Sequence, residues 1–131
     1  MTDFLFNEEL DVPFLRNAFG QDYFAAREVL GSFVDSASHD IPILQAALER
    51  SSLRAFSRIT MRMVHNLQLV GLENEVEHIR QLRSHVAGFG VNARSKELAE
   101  QFINGLDYKK NLMAVEVDRL DRHIESQVRH G

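Results

Sequence analysis

The residues best equipped for chemistry fall within positions 53–71, LRAFSRITMRMVHNLQLVG. Arg54, Arg58 and Arg62 recur at every fourth position, and His65 follows three places later. On a helix of 3.6 residues per turn such positions stack along one face. Guanidinium groups pair with carboxylates and phosphoryl groups through planar, charge-assisted hydrogen bonds. An imidazole can serve as nucleophile or proton carrier near neutral pH. Ser57, Met61, Gln68 and Leu69 complete the face, so that six of its eight positions are polar or cationic. Phe56, Ile59, Met63, Leu67 and Val70 take the opposite side, at spacings of three and four. The pattern predicts an amphipathic helix of about five turns, ended by Gly71, with Met61 central on a basic, solvated face.

Other constellations are weaker. Glu75-Val76-Glu77-His78 contains one Glu-x-x-His, the element that di-iron helical bundles use twice together with two further inward glutamates. No other histidine has a glutamate three places before it, so no metal or cofactor is expected. His78 with His85, and His123 with His130, are seven residues apart, too far for one coordination shell, and read as surface residues. There is no Gly-rich phosphate loop and no nucleophile elbow, and so no hydrolase signature. With no cysteine, disulfides, thiolate catalysis and sulfur-bound zinc are excluded.

Composition is that of an ordinary globular chain: 131 residues, 44% hydrophobic and 26% charged, enough for one domain spanning 1–131. A net charge of -4 without a long basic tract argues against nucleic acid as a partner. No apolar run approaches the roughly 20 residues that span a bilayer, and the acidic start MTDFLFNEELD lacks the basic region of a signal peptide. A cytoplasmic location, away from membranes, is the expectation.

These residues must be positioned by helices. Residues 1–12 read as an extended lead-in, with Phe4 and Leu5 free to pack on a neighbour. Pro13 opens a short helix ended by Gly20, and Asp22 is placed to cap the next. An apolar stripe then runs through Ala26, Leu30, Phe33, Ala37, Ile41, Leu44 and Leu48, keeping its phase across Pro42. Either one long helix kinks at Pro42, or two near-collinear helices meet there with Asp40 capping the second. A polar break at Arg50-Ser51-Ser52 precedes the basic helix. Another helix starts at Leu72-Glu73-Asn74 and carries Val76, Ile79, Leu82 and Val86. Residues 88–92 form a loop, and a last helix begins near Ser95 with Leu98, Phe102, Leu106, Met113, Val117, Leu120, Ile124 and Val128 as its stripe. Glu116, Asp118, Arg119, Asp121 and Arg122 are expected to solvate its other side. No strand pattern or internal repeat appears. The expectation is an all-α, antiparallel four-helix bundle, with a short N-terminal capping helix and a C-terminal helix long enough to outrun it and to pair with a second copy.

Residues 10–82 resemble the histidine-containing phosphotransfer (HPt) domains of bacterial phosphorelays. The resemblance begins at LDVPFLRNAFGQD, which is similar to that family's first short helix and Gly-x-Asp turn. It continues through Leu30, Phe33 and Ala46-Ala47-Leu48-Glu49, and culminates in ITMRMVHNLQLVGL and Ile79-Arg80-Gln81-Leu82. The family's motif places a glycine about ten positions after the phosphoaccepting His, and counting back ten from Gly71 reaches Met61. Arg62 and Met63 fit the next two places; Val64 stands where a Lys would be, and His65 where a permissive small residue would be.

The resemblance implies a two-component signalling protein that binds a response-regulator receiver domain or a histidine kinase. The substitution at its centre implies a degenerate member. A methionine thioether cannot form the phosphoramidate that an imidazole forms, and Val64 cannot neutralise a phosphoryl group. The implied receiver-binding face is Arg54, Arg58, Met61, Arg62, His65, Gln68 and Leu69, with Gly71 structural and no catalytic residue. His65 is the substitute nucleophile to consider, about 40° round the helix and about 6 Å along its axis from Met61. The alternatives are phosphotransfer through His65, or a structural or assembly bundle with no part in a relay.

Overall fold

A computed structural model describes residues 3–130, with side chains through Arg129. Among the described residues there are five helices and no strands. They are α1 (Val12–Phe19), α2 (Tyr23–Glu49), α3 (Leu53–Leu69), α4 (Glu73–Phe89) and α5 (Ala93–His130). α2 packs along α3 and α5, α4 packs along the same two, and α1 lies on α2. The four longer helices thus each border two others around one apolar core, whose fully buried members include Leu30, Leu44, Leu67, Ile79, Leu82, Phe102, Leu106, Met113 and Leu120.

Local chemistry sets the boundaries. The Asp11 carboxylate accepts from the Phe14 N–H and so starts α1 at Val12, one residue before Pro13; Asp22 does the same for Ala25 at the start of α2. The α2 stripe is one continuous helix through Pro42, which decides between the two expected readings. Pro42 is exposed, and so is Ser38, whose carbonyl would have received the missing N–H, so water can solvate the freed acceptor. Asp40 is therefore no cap; it is buried inside α2. Ser51 takes φ 53° and Ser52 caps α3, its Oγ accepting from the Ala55 N–H.

Two loop expectations need correction. Gly88 and Phe89 belong to α4, and only Gly90 at that turn has positive φ. α5 starts at Ala93, two residues before the expected Ser95, because Asn92 and Ser95 cap each other: the Ser95 N–H donates to Asn92 Oδ1 at 3.0 Å and the Asn92 N–H to Ser95 Oγ at 2.6 Å.

At 38 residues, α5 is about 57 Å long, against about 26 Å for the 17-residue α3 and α4. Its far part is not left bare. Residues 3–11 lie against it, with the Phe4 ring 5.1 Å from Phe6, 6.0 Å from Tyr23 and 5.5 Å from His123. In an extended segment Phe4 and Phe6 share a side and Leu5 faces away. Phe4 and Phe6 are buried and Leu5 is exposed, so Phe6, not Leu5, is the second anchor of this segment. Glu116, expected in solvent, is fully buried: its carboxylate accepts from the Asn7 N–H at 2.9 Å and from Arg119, which also donates to the Leu5 carbonyl. His123, expected at the surface, is half-buried between the Phe4 and Tyr23 rings. The side chain of His130 lies outside the described residues, and Val128, the last of the apolar stripe, is exposed. No described helix is long and apolar enough to cross a membrane.

Candidate functional site

The basic face lies on α3, whose ends are fixed by Ser52 and by Gly71. Val70 ends the helix, Gly71 takes φ +72°, and the Leu72 N–H returns to the Leu67 carbonyl at 3.1 Å, closing the last turn. Gly71 has a second duty. A Cβ built on it would lie 2.6 Å from Cδ1 of Phe14, so the bare glycine is the seat on which α1 rests.

Between these ends, Phe56, Ile59, Met63, Leu67 and Val70 are buried, as the periodicity predicts. Arg54, Ser57, Arg58, Met61, Arg62, His65, Gln68 and Leu69 are exposed. Met61 is 62% exposed and Leu69 51%, a large unburied area for apolar side chains in the middle and at the end of a basic helix. Beside Leu69 a shallow groove of about 200 Å³ runs between α2 and α3, floored by Val29, Phe33 and Val70 and edged by Glu28 and Asn66.

The arginine row is not uniform. Among the described residues Arg54 and Arg58 make no salt bridge, whereas Arg62 Nη2 lies 2.5 Å from Oδ1 of Asp40 on α2. Asp40 is 2% exposed, so a buried carboxylate takes this guanidinium as its counter-ion. Arg62 therefore does not stand on the face as a third free cation. Arg83 on α4 grips the same helix from behind, donating to the Ser57 carbonyl at 3.0 Å and to Thr60 Oγ1 at 2.6 Å. Thr60 in turn donates to the Phe56 carbonyl at 2.7 Å. These contacts hold α3 rigid on two sides.

Asp40 was open to detection from sequence. It is three residues after Ala37 and seven after Phe33, which places it beside the buried stripe, yet its position before Pro42 reads more readily as a cap. Arg83 carries no such signal, because its partners Ser57 and Thr60 come from helix packing.

The remaining candidates do not converge. Glu75 is buried and His78 is exposed. His85 contacts Asn92 Oδ1 at 3.1 Å and packs on Phe89, which ties it to the α4–α5 turn. Among the described residues no group of three His, Asp or Glu side chains could hold a metal ion.

Among the described residues, the α3 face offers two guanidiniums without a salt-bridge partner, an apolar centre and one exposed imidazole. The Met61 thioether has no N–H to exchange for a phosphoryl group, and the half-buried Val64 brings no charge. No protein-family model, no curated protein and no solved structure matches this chain.

Proposed function

We propose that this chain is an HPt-like signalling module of a two-component phosphorelay that docks a receiver or histidine-kinase domain on the α3 face and does not itself carry phosphate. The observation that carries the reading is Met61. It is exposed at the centre of a rigid basic helix, ten residues before the glycine turn that seats α1. In the resembled family that place belongs to the phosphoaccepting histidine. The ring of contacts among α2, α3, α4 and α5, joined by three-residue turns at 50–52, 70–72 and 90–92, supports an antiparallel four-helix bundle of the HPt kind. The apolar groove beside Leu69 supports a protein partner over a small anionic ligand, since a docked domain would cover Met61 and Leu69 together. Such a protein would modulate a relay in the cytoplasm by occupying a receiver or kinase non-covalently.

The test is to incubate the protein with receiver domains and a kinase supplied with labelled ATP, and to measure both complex formation and label transfer. Complex formation without acid-labile label on this chain is expected. Stable acid-labile label would overturn the non-carrying reading, and its loss in His65→Ala would assign phosphotransfer to His65. Absence of binding to every receiver and kinase would leave the structural-module alternative.

A further inference from the structure

We propose that Asp40 masks Arg62, so that an acidic partner domain is attracted to the α3 face by Arg54 and Arg58 and not by all three arginines. This rests on the docking reading above and deepens it by specifying the partner's chemistry. Asp40 lies on α2, is almost wholly buried, and holds Arg62 Nη2 at 2.5 Å. At that separation the two charges cancel for anything approaching from solvent, because a partner feels a dipole and not a unit charge. The three arginines of the face, less the one aspartate, leave a formal charge of +2.

The two unmasked cations are one turn apart, about 6 Å along the axis, and both precede Met61. The field of the face is therefore concentrated over the N-terminal half of α3. Its C-terminal half offers Leu69 and the apolar groove between α2 and α3 instead. The complementary partner presents carboxylates toward Arg54 and Arg58, and an apolar surface toward Met61 and Leu69. Arg62 serves as a positioning residue: it neutralises a buried carboxylate and fixes α3 against α2.

Asp40→Asn separates masking from structure. Asparagine has nearly the same shape and keeps an oxygen that can accept from Arg62, but it returns a full positive charge to the face. A merely structural Asp40 predicts unchanged or weaker binding on this substitution, whereas masking predicts faster binding. The probe is a purified receiver domain that binds the unmodified protein, followed by stopped-flow fluorescence at low and high salt. Asp40→Asn is expected to raise the association rate constant roughly two- to five-fold at low ionic strength, with the gain vanishing near 0.5 M salt. Arg54→Gln and Arg58→Gln are each expected to lower it by a similar factor. The double variant Asp40→Asn, Arg62→Gln restores the original net charge and is expected to associate within about two-fold of the unmodified protein. That variant carries the test if circular dichroism shows the single one unfolded. An Asp40→Asn protein that is folded but binds no faster would overturn the proposal, as would a large loss of affinity in the double variant, which would mean that the partner contacts Arg62 directly. If no receiver binds the unmodified protein, the docking reading fails and this inference falls with it; if receivers bind and the charge pattern is absent, only this inference fails.

Discussion

Gly71→Ala is the perturbation whose effect follows most completely from geometry. The glycine has φ +72°, a region that disfavours an L-residue by about 1–2 kcal/mol. The new methyl would also fall 2.6 Å from Cδ1, 2.7 Å from Cγ and 3.2 Å from Cβ of Phe14. The first two distances are far inside van der Waals contact, and they involve a ring fixed on α1 and not the tip of a flexible chain. Phe14 must therefore move and α1 with it, a strain of about 1–3 kcal/mol by analogy with overpacked cores. Together about 3 kcal/mol of stability should be lost. For a chain of this size that lowers the melting temperature by about 10 °C, which calorimetry or circular dichroism reads directly. A double-mutant cycle divides the loss. In a Phe14→Ala background the ring atoms are gone and only the 3.2 Å contact with Cβ remains, so Gly71→Ala should cost little beyond the backbone part, about 1–2 kcal/mol. A loss below about 1 kcal/mol in the unmodified background, or an equal loss in both backgrounds, would refute the reasoning that α1 rests on this glycine.

Further outcomes concern the N-terminal segment and α2. Glu116→Ala removes the buried acceptor of the Asn7 N–H and the partner of Arg119; it should destabilise by about 2–3 kcal/mol and speed hydrogen exchange at Asn7, measurable by mass spectrometry. Pro42→Ala restores a donor to an exposed point of α2 and should raise stability by about 1–3 kcal/mol in chemical denaturation. Tyr108 donates to the Glu9 carboxylate at 2.6 Å, and this hydrogen bond holds the phenol above its ordinary value of 10.0. Because the folded state holds that proton more tightly, the contribution is fully present below pH about 10 and fades as pH rises through the folded-state value. Absorbance titration of the phenols in a Tyr23→Phe background should show a raised midpoint that Glu9→Gln returns toward normal.

Periodicity carried much of the fold. The α3 face and its buried opposite side are legible at spacings of three and four, and the distance from Met61 to Gly71 is a count along the chain. The misread positions are mostly those where a charged residue occupies a buried stripe. Glu116 follows Met113 by three and precedes Leu120 by four, so its phase is that of the core. Charge alone argues for solvent, and the burial rests on two partners, the Asn7 N–H 109 residues away and Arg119 one turn on. Asp40 repeats the pattern with Arg62 on the next helix as its counter-ion. Phe6 was legible by a different rule, since alternation in an extended segment puts it on the side of Phe4. His123 was not legible, because the rings that enclose it come from two distant segments. The charge distribution of the candidate site was thus readable only in part: the arginine spacing was visible and the masking of Arg62 was not.

We propose that Met61 stands where a phosphoaccepting histidine would act. The most direct test restores that chemistry, by introducing Met61→His and Val64→Lys and offering the variant a phosphorylated receiver that binds the unmodified chain. Acid-labile label on the variant, with none on the unmodified protein, is the expected result. A folded variant that binds the receiver but takes no label, or label on the unmodified protein itself, would contradict the account.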